Sequence, residues 1–351
     1  MKSEAAAPHP LDSAEAARRR TRRFRLVMAG LVLLALAASL IALFAGRYGL
    51  PASDILTALL HPGTHSPASS VVWDVRVPRI LLAILAGAGL AASGAAFQAL
   101  FANPLAAPDT LGVATGASFG AVLGILWGWG AFAIQCLSVL SGLAAIALVV
   151  LVSRTRTGGG GSILMIVLAG MVVGALFTAL VSLVKYAADP QDVLPSITFW
   201  LMGSMTGATT ASILTGLPLL VAGGLVLWLL RWRLNAATLP AEEAASLGIN
   251  VPLLRAAVIL AATLMTASVV SLCGLIGWVG LLVPHAARLI FGAGNDRVLP
   301  ASMVLGGIFL LVIDTLARTM TESEIPVSIL TAVVGAPVFI LLMRRTSARL
   351  S

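Results

Sequence analysis

The sequence predicts an all-α membrane protein of about ten transmembrane helices, and three observations predict it. Of 351 residues, 59% are hydrophobic and only 10% charged, with mean hydropathy +1.02; a soluble domain carries about 25% charged residues. A soluble chain so poor in charge could not cover its own surface, so lipid is the solvent for most of its length. The apolar runs are long and continuous rather than alternating segments of about ten residues, which selects helices over a closed barrel. Lys and Arg are also distributed unevenly about those runs, as a fixed orientation in a bilayer requires.

Spans of about 20 apolar residues are read in order. The first covers 24–45 and follows Arg18, Arg19, Arg20, Arg22, Arg23 and Arg25, a positive-inside mark. Thr21-Arg22-Arg23-Phe24 faintly resembles a twin-arginine signal. No small-residue cleavage site closes the span, so a retained helix behind a basic cytoplasmic tail, residues 1–23, is expected. The second span, 77–100, starts after Arg76 and stops at Asn103-Pro104. The third, 110–127, is short and rich in glycine; the fourth, 132–152, stops at Arg154 and Arg156; the fifth, 162–184, stops at Lys185. A helix of unusual polarity at 197–205 precedes a sixth span ending near 230. The seventh covers 252–273, the eighth is a short one at 278–290 interrupted by Pro284, and the ninth and tenth cover 300–320 and 327–343. A short cytoplasmic tail, 346–351, follows the membrane-spanning region 24–345.

With the N-terminus inside, only Arg47, Arg76, Arg79, Lys185 and Arg318 fall on the outer side. Shifting the count by one span would strand Arg344, Arg345 and Arg349 outside, so charge supports the even count and two cytoplasmic termini. The 34 glycines and 17 prolines fall largely within spans, where small residues let helix backbones approach. The short third and eighth spans each follow a long one, which predicts inverted repeats over spans 2–5 and 7–10.

Little chemistry is available. Cys136 and Cys273 lie in apolar runs and make no CxxC pair. His9, His61, His65 and His285 are scattered. No catalytic, metal or nucleic-acid site is predicted. Gly158-Gly159-Gly160-Gly161 lacks the Lys and Ser/Thr of a phosphate loop and reads as a turn. Residues 236–250 read as a short amphipathic cytoplasmic helix or a solvated connector. Thr238 suits a cap, Pro240 a first turn, Glu242 and Glu243 the positive end, and Gly248 a left-handed stop. Asp314 and Arg318, four residues apart, share a helical face and are expected to pair.

Several stretches then resemble the FecCD-type permeases of binding-protein-dependent ABC importers. They are Arg76-Val-Pro-Arg79, Ala92-Ser-Gly-Ala-Ala-Phe-Gln98, Asn103-Pro-Leu-Ala106 with Leu111-Gly112, Phe199-Trp-Leu-Met-Gly-Ser204, and Gly277-Trp-Val-Gly-Leu-Leu-Val-Pro-His285 with Arg288. Asp314-Thr-Leu-Ala-Arg318, Glu324-Ile-Pro326 and Gly335-Ala-Pro-Val-Phe339 complete the series. The resemblance implies a vitamin-B12-permease-like fold, a second permease copy as homodimer partner, two cytoplasmic ATPases holding ATP and Mg, and a periplasmic binding protein. It implies an inner-membrane location and no cofactor bound by this chain. In that family the helix containing Leu239, Glu242, Glu243, Ala244, Leu247 and Gly248 docks on the ATPase. Arg76, Arg79 and Arg318 match arginines that receive carboxylates of the binding protein, although snorkelling anchors would also place Arg76 and Arg79 at the interface. His285 matches a position that looks structural. Met171, Phe177, Trp200, Met202, Ser204 and Met205 are candidates for the path, as soft side chains over which a bulky solute slides.

The implied function is import of an iron(III) chelate, a siderophore, powered by the partner ATPase; heme, cobalamin or a metal oxyanion are rival cargoes. An ion-coupled secondary transporter is the competing class, and the absence of clustered intramembrane carboxylates argues against it.

Overall fold

The computed structural model describes residues 10–63, 66–153, 163–237, 239 and 241–347. The glycine run at 158–161, its flanking Arg154 and Arg156, the capping pair Thr238 and Pro240, and the outer parts of both tails lie outside the described residues, as does the side chain of Glu242.

Among the described residues there are helices and no strands. They are α1 (Pro10–Phe44), α2 (Ala52–Leu60), α3 (Pro67–Ser70), a π-helical turn at Val71–Arg76, α4 (Val77–Leu100), α5 (Val113–Leu126), α6 (Ala131–Ser153), α7 (Ile163–Ala187) and α8 (Val193–Leu201). They continue as α9 (Thr210–Leu230), α10 (Arg233–Ala236), α11 (Ala241–Ser246), α12 (Val251–Cys273), α13 (Val279–Phe291), α14 (Asn295–Thr319) and α15 (Val327–Ser347). Seven are long and apolar enough to cross a membrane, and α5, α13 and most of α15 are shorter apolar helices. Each corresponds to one span read from the sequence.

The differences lie at the ends. α1 begins at Pro10 because the Arg-rich run is itself a good helix former. The helix carrying the second span extends back through the π turn to Pro67, making 34 continuous residues. α14 starts at Asn295 with Pro300 inside it, five residues into the helix, where it perturbs few backbone bonds.

The bundle is held by close crossings at small residues. α4 is buried along almost its whole length. It runs against α14, with Ile84 at Gly307 and Gly87 at Gly306. It also runs against α12, where Gly89 faces Val269 and Ser93 donates to the Ala262 carbonyl at 3.1 Å. A Cβ on Gly94 would lie 1.9 Å from the Gly280 carbonyl of α13. The two halves therefore interlock: α4 packs on α13 and α14, while α12 packs on α5 and α6. α4 and α12 are antiparallel to one another, which is the relation that inverted repeats require.

Gly94→Leu is expected to destabilise the fold by about 1–3 kcal/mol or more, because backbone rather than a flexible side chain occupies the space. Gly207→Leu, with nothing within 4 Å, is the control. Thermal unfolding in detergent reads both; equal melting temperatures would mean that the α4–α13 crossing is looser than described.

Candidate functional site

At one end of the bundle a polar network joins α1, α4 and α14. Arg79, in the first turn of α4, donates through Nε to both Asp314 oxygens at 3.1 Å and through Nη2 to Oδ1 at 2.9 Å. Its Nη1 and Nη2 also donate to the two oxygens of Glu324, each at 2.9 Å. The fork of one guanidinium thus serves two carboxylates, as its planar geometry allows. Arg318 lies 3.8 Å from Asp314, four residues away on α14, and its Nη2 donates to the Ala42 carbonyl. Arg76 donates to the carbonyls of Leu43 at 2.6 Å and Tyr48 at 2.8 Å. The bonds to Ala42 and Leu43 satisfy carbonyls at the C-terminus of α1, where a cation also complements the helix dipole.

The sequence put Arg76, Arg79 and Arg318 at one end, and the structure brings them together there. It also buries them, at 3%, 6% and 6% exposure, with Arg76 and Arg79 bonded inside the chain and Arg318 bonded through Nη2, while its buried Nε has no hydrogen-bond partner among the described residues. The exposed arginine of that end is Arg47, whose Nε donates to the Arg318 carbonyl at 3.2 Å. Sequence reasoning paired Asp314 with Arg318 but missed Arg79 as the nearer partner and Glu324 as the second carboxylate. Glu324 was in view as part of Glu324-Ile-Pro326; its partner is 245 residues away.

At the opposite end α11 forms a short helix closed by Gly248 at φ 74°. The Gly248 and Ile249 amides return to the Ala245 and Ala244 carbonyls at 2.9 and 3.2 Å, a left-handed stop. Ala244 is fully buried and α11 packs on α12, whereas Glu243, Leu239 and Leu247 are exposed, Leu247 at 64%. The preceding α10 is anchored through Asn235, which accepts from the Asn295 amide at 2.7 Å and donates to Asp296 at 3.4 Å. The structure therefore presents Glu243 on α11, with Leu239 just before the helix and Leu247 just after it exposed on either side.

The six path candidates are spread over several environments. Met171 is exposed on α7, with Val172 and Leu176 exposed beside it. Phe177 is buried with its ring 5.7 Å from Phe119, and Met205 is fully buried. Trp200 is half-buried against α5 and α12. The Met202 carbonyl accepts from Ser328 Oγ at 2.5 Å, and the Ser204 amide donates to the Cys273 carbonyl at 2.9 Å, so this segment ties α12 to α15.

Asp109 was not singled out from the sequence. It sits in the loop between α4 and α5, beside a cavity of about 250 Å³ that Gly277 and Trp278, Thr115 and Ser328 also line. Trp278 holds a left-handed φ of 72° and its amide bonds Asp109. Burial pushes the Asp109 carboxyl up to about 6 against that bond. An acid between two glycine-rich spans was the available signal. His285 is buried, its ring 6.0 Å from that of Phe339. Among the described residues, no group of three His, Cys, Asp or Glu converges as a metal site would.

Comparison with known proteins places this arrangement. The FecCD transport family profile matches residues 21–345. The molybdate import system permease MolB of Haemophilus influenzae is 40% identical over 318 residues, 89% of this chain and 94% of that protein. A Helicobacter pylori protein named for iron chelatin transport is 38% identical over 293 residues, 84% of this chain and 88% of that one. A solved structure described as an inward-facing, metal-chelate type ABC transporter superposes with TM-score 0.82 at 38% identity, covering 92% of this chain and 99% of that one.

Proposed function

We infer cargo and partners from one premise: this chain belongs to the FecCD transport family and is a permease subunit of an ABC importer. The proposed cargo is an iron(III) chelate, carried inward across the cytoplasmic membrane between two copies of this chain. The observation that supports it is the match across the whole helical bundle to proteins named for metal-bearing solutes. Molybdate is the second reading, favoured by the 40% identity to the molybdate permease.

Partners follow from the two ends. α11, with Leu239 and Leu247 exposed and Ala244 fixed on α12, is proposed as the seat of a separate ATPase, which binds ATP and Mg. The arginine-rich end is proposed to receive the binding protein. There Arg76, Arg79 and Arg318 act by holding the rim in shape, since meeting a partner's carboxylates directly would mean leaving Asp314, Glu324 and the α1 carbonyls. Arg47 is the guanidinium already exposed there. The positive-inside distribution supports cytoplasmic termini.

The test is ATPase stimulation in the assembled complex by binding protein loaded with ferric chelate or with molybdate. Stimulation by the ferric form is the expected result; stimulation by molybdate alone would replace the first cargo with the second. Arg47→Glu is expected to weaken docking of the binding protein at low salt by about tenfold while leaving thermal stability within about 0.5 kcal/mol. Unchanged docking would remove Arg47 from the interface.

A further inference from the structure

The bundle holds a second cavity. It measures about 560 Å³ and opens between residues 20–27 of α1 and the segment joining α13 to α14, lined by Arg20, Arg23, Phe24 and Val27 on one side and by residues 290–294 with Asp296 and Arg297 on the other. At about 100° per residue, positions 20, 23, 24 and 27 share one face of α1. The Phe24 and Phe291 rings meet edge to face at 5.2 Å, and the Arg297 guanidinium stands 5.9 Å over Phe24. The one acid in the lining, Asp296, lies 3.7 Å from Arg297. Arg20 and Arg23 remain exposed, and neither has an ion pair among the described residues.

The setting selects the ligand. Arg20 and Arg23 stand where the basic run of α1 gives way to its apolar span, so the cavity lies at the membrane boundary. Beyond it α1 leaves Leu34 and Ile41 exposed on the face that carries Arg23 and Val27, a flank that acyl chains can cover. A ligand that fits both parts has a compact anionic head and hydrocarbon tails. The geometry points to a binding site for the phosphate headgroup of an anionic phospholipid, held by Arg20, Arg23 and Arg297 with Phe24 and Phe291 beneath. Basic pockets beside membrane helices attract anionic headgroups in this way. The leaflet, cytoplasmic, rests on the orientation proposed above.

Charge alone does not account for the geometry, and the test separates the two. Arg18 and Arg22 fall on the opposite face of α1 and do not line the cavity. Delipidated full-length protein is titrated with phosphatidylglycerol or phosphatidylcholine and followed by native mass spectrometry. Phosphatidylglycerol is expected to bind more tightly by on the order of tenfold. Arg20→Gln/Arg23→Gln abolishes the preference, and Arg18→Gln/Arg22→Gln, with the same loss of charge, retains it. Equal loss in both pairs would reduce the site to diffuse attraction by a basic helix end and overturn the inference. Displacement of the lipid by millimolar inorganic phosphate would overturn it in favour of a soluble anion. All four arginines are exposed, so folding is spared. Labelling of Arg18→Cys from the outer side of intact cells would overturn the cytoplasmic leaflet without touching the lipid result.

Discussion

Asp314→Ala is expected to destabilise the protein by about 3–5 kcal/mol, the range for removing one partner of a buried ion pair. The carboxylate is fully buried and lies against two guanidinium groups, at 2.9 Å from Arg79 and 3.8 Å from Arg318. Without it Arg318 keeps only a neutral carbonyl, and Arg79 keeps only Glu324, which is 21% exposed. Two buried cations would then share one partly hydrated anion. In a chain of this length the loss corresponds to a fall in melting temperature on the order of 10 °C. Glu324→Gln retains Asp314 and an acceptor for Arg79, so its effect should stay under about 1 kcal/mol. Thermal unfolding of the purified variants in one detergent checks both. Equal losses for the two substitutions would show that the exposed-side Glu324 contact matters as much as the buried Asp314 one, against this account.

Leu247→Asp is expected to cut ATPase stimulation and uptake by at least about thirtyfold without unfolding the permease. The side chain is 64% exposed and closes α11 beside Gly248, so its only large apolar contact would be a partner subunit. Central apolar anchors of interfaces cost about 2 kcal/mol or more when lost, and a buried unpaired carboxylate adds to that. Ala244→Arg provides the contrast. Ala244 is fully buried on the α12 side, so that variant should lose thermal stability before any partner is added. A Leu247→Asp complex that co-purifies with its ATPase and transports normally would remove α11 from the coupling interface.

The spans were legible because lipid imposes a length and a composition on each of them. α4 occupies 77–100 as read, and α12 starts one residue earlier than read. The glycine-lined crossings were legible as small-residue patterns, and the stop at Gly248 as a residue suited to positive φ. The inward aim of Arg79 was not. Local sequence offered Arg318 as the partner of Asp314 at helical spacing, whereas the nearer cation comes from another helix 235 residues away. Nor could spacing sort the methionines. An apolar residue facing lipid, a second copy, a solute or the core has the same composition, so Met171 and Met205 looked alike until one proved exposed and the other buried.

The central claim is that this chain supplies a path and a separate ATPase supplies the drive. Its most direct test is uptake of the ferric chelate into proteoliposomes containing the permease, its ATPase and lumenal ATP, with loaded binding protein outside and ion gradients collapsed by ionophores. The account predicts that uptake persists under the ionophores and stops when the ATPase is inactivated. Uptake that survives loss of ATP and disappears with the gradients would contradict it.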